Sequence, residues 1–135
     1  MENYLKPLPR PSLEGQAFWD AAREHKLKLQ KCDDCGKFWF PCSTRCNHCR
    51  SGNFAWEEIS GRGKVFSFVV YHRLYHKGWA DELPYVVAVI ELEEGPRILS
   101  TVTEIPALDV VCDMLVKVVF DDVVPDVTIP KFAPC

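Results

Sequence analysis

The chain has little of what the commoner function classes need. It contains no uninterrupted apolar run near the ~20 residues that a membrane-crossing helix requires. It has no basic excess either: 16 lysines and arginines face 19 aspartates and glutamates, a net charge of −3. Binders of the phosphate backbone usually carry the opposite balance. The stretch MENYLKPLPRP has charges and prolines but no apolar core of a secretory signal. No glycine-rich phosphate loop, G-x-S-x-G elbow or H-E-x-x-H helix occurs. Histidine is scarce, with four copies. These absences predict a cytoplasmic globular protein with no membrane association, little use for nucleic acid and no catalytic motif of its own.

Cysteine is abundant. Seven cysteines occur in 135 residues, and five of them fall in CDDCGKFWFPCSTRCNHCR, residues 32–50. An odd total fits a disulfide framework badly, and cytosolic thiols stay reduced. Cys32 and Cys35 form one C-x-x-C pair and Cys46 and Cys49 another, ten residues apart. Each pair is expected to make a tight turn that points two sulfurs the same way, and two such knuckles facing each other form a tetrahedral four-sulfur site. Gly36 follows the first knuckle, where a positive φ is commonly needed, and Arg50 holds the equivalent place after the second. Cys42 and His48 are weaker competitors for ligand positions. A site closed by four protein ligands has no open position for substrate, so its metal is structural. Spacing alone leaves zinc and iron both open, and iron would make an electron carrier.

The rest of the chain reads as one short helix and several strands. Residues 1–11 form a proline-punctuated arm that orders only by wrapping over something. Ser12 is placed to cap a helix through SLEGQAFWDAAREH, with Glu14 in its first turn and Leu13, Ala17, Phe18, Ala21 and Ala22 at helical spacing. KLKLQK leads into the knuckles as a strand. NFAWEEIS and GRGKVFSFVVY read as extended, with a bulge or bend where Gly61 and Gly63 bracket Arg62. YVVAVIEL, EEGP and RILSTVT make a hairpin, and MLVKVVF and DVTIPKF supply the last strands. About five short strands without intervening helices predict a small antiparallel barrel. The apolar runs at 65–71 and 85–90 leave one face in need of cover. Cys112 is expected to be a buried thiol. The polar, aromatic loop 72–84 is long enough to suggest a function, with a solvated connection as the equal alternative.

The order of these features resembles the acyl-CoA-associated OB-fold family, catalogued as domain of unknown function thirty-five. The likeness rests on the FW helix, LKLQKCDDCGKFWFPCSTRCNHCRSGNFAW, ISGRGKVFSFVV, LPYVVAVIELEEGPRILSTVT and the closing IPKF. It implies a mainly β fold: an N-terminal helix and rubredoxin-like zinc ribbon ahead of a small OB-fold barrel. The division expected is an arm at 1–11, helix plus ribbon at 12–55, and barrel with tail at 56–135. It also implies a non-catalytic subunit, with a thiolase-fold partner that makes or breaks carbon–carbon bonds beside a CoA thioester. A hydratase partner is the alternative within the family. Cys32, Cys35, Cys46 and Cys49 would hold structural Zn²⁺. Arg62, Lys64, Arg73, His76 and Lys77 are candidates for CoA phosphates, since these favour cations, and Trp19 and Trp79 are candidate contacts to partner or ligand. A competing class, a single-strand nucleic-acid binder, would stack bases on Phe66, Phe68, Tyr71 and Tyr75.

Overall fold

A computed structural model describes residues 5–135; the first four residues of the predicted arm lie outside it. The helix α1 runs Gln16–Arg23 and buries Phe18, Ala21 and Ala22 at i, i+3 and i+4. It starts later than expected. Ser12 Oγ does accept the Gly15 N–H at 3.1 Å, but in a turn ahead of the helix, and Leu13 is 92% exposed instead of on the apolar stripe. At the other end His25 sits at φ +60, with its N–H on Ala22 O and that of Lys26 on Ala21 O. That is a Schellman stop.

Two sheets follow. The first has the order β2-β1-β3, from β1 (Lys28–Cys32), β2 (Phe38–Trp39) and β3 (Phe54–Glu58). Every residue of β3 pairs with β1, from Lys28 against Glu58 to Cys32 against Phe54. The second has the order β6-β5-β4-β7-β8, from β4 (Arg62–Tyr71), β5 (Tyr85–Leu92), β6 (Arg97–Ser100), β7 (Leu115–Val124) and β8 (Val127–Pro134). This antiparallel sheet curls into a half-barrel. Beyond β6 the chain turns onto β8, where Val102 bridges Phe132 and the Thr103 N–H reaches Phe132 O at 2.7 Å.

Strand β5 alternates without exception, burying Val86, Ala88, Ile90 and Leu92. The two modules share one core: Phe18, Leu27 and Leu29 pack with Ile59, Val65, Val116 and Phe132. A second, small cluster of Cys32, Trp39 and Cys46 sits under the knuckles.

The bulge lies not at Arg62 but between Val65 and Ser67. The two glycines serve close approach: a Cβ on Gly63 would stand 2.5 Å from Glu91 O, and one on Gly61 2.4 Å from Val118 Cγ1. The outer face of the sheet carries Val69 and Leu99 uncovered, and Phe66 is half out under the Arg97 guanidinium at 3.7 Å. Phe66 is therefore a half-exposed surface ring. Cys112 is exposed as well, not buried. Among the described residues no helix is long and apolar enough to cross a membrane.

Candidate metal centre

The fold brings the four predicted sulfurs together. Cys32 and Cys35 end β1 and its turn, and Cys46 and Cys49 form the facing turn; all four Sγ atoms lie within 4.8 Å of one another. Both turns are built the same way. Gly36 N–H bonds Cys32 O at 3.0 Å, Arg50 N–H bonds Cys46 O at 2.9 Å, and the two residues have φ of +75 and +65. The left-handed residue expected after each knuckle is present in both.

Sulfur geometry fits a metal and not a disulfide. Cys32 and Cys49 sulfurs are 3.5 Å apart, and those of Cys35 and Cys46 3.6 Å. A tetrahedron with Zn–S bonds of about 2.3 Å has edges of about 3.8 Å, whereas a disulfide is about 2.05 Å. Protonation points the same way. The Cys35 backbone N–H lowers the Cys32 thiol against the effect of burial. Burial raises Cys46, but the N–H groups of Cys49 and His48 bring it to about 6. Lys37's N–H favours a Cys35 thiolate, yet burial and the thiols of Cys46 and Cys32 raise it. Ser51's N–H does the same for Cys49, and the Cys32 thiol, burial and the remaining thiols still push it to about 12. Backbone N–H groups thus favour the thiolate at Cys32 and Cys46, and a bound cation would favour it at all four sulfurs.

Around the sulfurs, Trp39 stacks edge-on against Phe54 at 5.5 Å and donates its indole N–H to Ser43 Oγ at 3.0 Å. Gln30 is 2% exposed; its amide donates to Ser43 O at 2.7 Å and accepts from Ser43 N at 3.0 Å. This clamp fixes the loop that leads to the second knuckle. The alternation of KLKLQK gives no sign of it, because a buried glutamine reads as a polar interruption. His48 is exposed and offers Cys46 its backbone N–H, not its ring. Cys42 lies outside the cluster, half-buried against the main core, and burial raises its thiol.

The remaining candidates divide. Arg62 and Lys64 stand at the start of β4, with Lys64 3.7 Å from Glu91 and 3.8 Å from Asp113. Arg73, His76, Lys77 and Trp79 follow its other end, in the connection between β4 and β5. In that loop His76 Nδ1 accepts the Gly78 N–H at 2.9 Å and its ring meets Trp79 edge-on, while Arg73 covers Tyr75 at 5.5 Å. Lys77 opens a 3₁₀ turn at Lys77–Glu82. Trp19 is half-buried, edge-on to Phe18 at 5.2 Å. Trp19 and Trp79 border the same cavity although 60 residues separate them in sequence.

A ribbon with a four-cysteine cluster, joined through one core to a curled five-strand sheet, defines a zinc-ribbon and OB-fold protein. Family models agree in order: the ChsH2 rubredoxin-like zinc ribbon domain matches residues 19–55, and the ChsH2 C-terminal OB-fold domain residues 56–121. A DUF35 domain-containing scaffold protein of Methanocaldococcus jannaschii is 37% identical over 86% of this chain and 82% of its own length. The chain belongs to the DUF35 family. It is also 36% identical, over 93% of its length, to a Thermomonospora curvata protein named "Probable enoyl-CoA hydratase alpha subunit", of which it spans 40%. A solved structure titled Ltp2-ChsH2(DUF35) aldolase contains a chain that superimposes with a TM-score of 0.84 at 32% identity, covering 93% of this chain and 98% of that one.

Proposed function

We propose that this chain is a non-catalytic, zinc-holding accessory subunit of an acyl-CoA aldolase or thiolase complex, located in the cytoplasm. It helps to assemble and shape the acyl-CoA site of a thiolase-fold partner. That partner supplies the nucleophile and acid–base groups for making or breaking a carbon–carbon bond beside the thioester. The observation that carries the reading is the near full-length likeness to a chain solved in an aldolase with a second component. A hydratase partner is the second reading, favoured by the relative named a hydratase alpha subunit.

Cys32, Cys35, Cys46 and Cys49 hold Zn²⁺, which fixes the ribbon and takes no part in the reaction. The arm at 1–11, the helix and ribbon at 12–55 and the barrel at 56–135 then form successive parts of the docking body. The loop set, Arg73, His76, Lys77 and Trp79, together with Trp19, faces partner or CoA, and Arg62 and Lys64 serve a separate edge. The test is co-expression with a thiolase-like chain and, in parallel, with a hydratase-like chain. A stable complex with turnover only when both chains are present supports the first reading. A well-behaved isolated chain that turns over acyl-CoA alone defeats it.

A further inference from the structure

Strand β4 is paired unequally on its two sides. Along β5 its ladder runs to the last residue, Tyr71 against Tyr85, and is regular from Ser67 onward. Along β7 it stops early. Arg62, Gly63 and Lys64 pair with Lys117, Val116 and Leu115. Val65 then donates its N–H to Met114 O at 3.0 Å and accepts the Asp113 N–H at 2.7 Å. From there β7 runs the other way, alongside β8. Among the described residues no further backbone bond reaches the β7 side of residues 66–71, and none of the six is buried.

Strand edges that face water are usually spoiled for pairing by lysine, proline or a bulge. This edge, FSFVVY, has no charge, no proline and no glycine, and apart from its serine it consists of strand-favouring residues. The bulge falls at its start, between Val65 and Ser67, and leaves the rest regular. At about 3.4 Å per residue the free edge is roughly 20 Å long. Beside its last residues opens a groove of about 620 Å³, lined by Val69, Val70, Tyr71, His72, Arg73 and Tyr75.

The two ends of the edge carry opposite charges. Asp113 stands where β7 departs; its side chain is 82% exposed and shares Lys64 with Glu91, at 3.8 and 3.7 Å. Arg73 follows the other end, exposed, with its guanidinium over the Tyr75 ring. An edge with a carboxylate at one end and a guanidinium at the other is complementary to itself read backwards. A two-fold axis produces that relation.

We infer that two copies of this chain pair antiparallel along this edge, joining their sheets through β4. Facing residues in an antiparallel pair point their backbone groups the same way, so the axis must pass through a residue. With Val69 on the axis, Ser67 faces the second copy's Tyr71, and Arg73 reaches the second copy's Asp113. The inference does not rest on the accessory-subunit reading, and its failure would leave that reading intact.

The test is sedimentation velocity of the full metal-loaded chain from about 1 to 300 μM. So short an edge makes a small interface, so a reversible dimer is expected with a dissociation constant on the order of 10–100 μM. Amide exchange of residues 66–71 should slow as the dimer fills. Val69→Lys puts two ammonium groups on the axis and is expected to raise the dissociation constant at least ~10-fold. Val69 is 53% exposed, so the variant should keep the parent's melting temperature. Should it fold poorly, Arg73→Gln and Asp113→Asn, both at exposed positions, are each expected to weaken the dimer, and together no more than either alone. A chain that stays monomeric across the range, or a dimer that survives these substitutions, overturns the inference. So does protection of the edge that appears only when a different protein is added.

Discussion

Replacing Gln30 tests how the ribbon is held around its sulfurs. The side chain is 2% exposed and makes two hydrogen bonds to the backbone of Ser43, at 2.7 and 3.0 Å. Gln30→Met keeps most of the volume and removes both bonds. Each is worth about 1 kcal/mol net, so the variant should lose about 2 kcal/mol. Gln30→Ala adds a cavity and should lose roughly 3–4 kcal/mol. The loop from Ser43 leads to Cys46, so both variants should also surrender metal to a chelator faster than the parent. The assay is urea unfolding at fixed free zinc, since bound metal adds to apparent stability, paired with a colorimetric chelator. A Gln30→Met protein within 0.5 kcal/mol of the parent, releasing metal at the parent rate, would refute the clamp; that margin is the usual scatter of inert surface changes, about ±0.5 kcal/mol.

Three further outcomes are expected. Gly63→Ala drives a Cβ to 2.5 Å from Glu91 O, a backbone atom that cannot swing aside, and should destabilise the barrel by roughly 1–3 kcal/mol in a thermal melt. The Thr128 hydroxyl, then His25, hold the Asp122 carboxyl below its ordinary value. A lowered folded pKa gives stability that is present above the unfolded value and lost as pH falls through the folded one. The melting-temperature gap between the parent and Asp122→Asn should therefore close as pH drops below about 4, and a constant gap contradicts the pairing. Cys42→Ser should keep the parent metal content by elemental assay while Cys46→Ser loses it, because only the second sulfur is in the cluster.

The ribbon was legible because its determinants are local. Two C-x-x-C turns and the residues that follow them specify both knuckles, down to the positive φ of Gly36 and Arg50. Strand β5 was legible for a similar reason: its alternation shows in YVVAVIEL itself. What stayed hidden depends on distant partners. Leu13 matches the helical spacing but has nothing to pack against, so α1 begins at Gln16. Gly61 and Gly63 signal a distortion, yet their reason is Val118 and Glu91 on neighbouring strands, and the bulge falls at Phe66 instead. The Gln30 clamp spans 13 residues, and the cavity bordered by Trp19 and Trp79 joins the arm, helix, ribbon and barrel, so no window of sequence contains either.

The most direct measurement is the elemental content of the full chain purified without added metal, followed through removal of that metal. One zinc per chain is expected, and a ribbon that unfolds and loses partner binding when the zinc is stripped. A ribbon that stays folded and still docks with its four sulfurs empty would contradict that expectation.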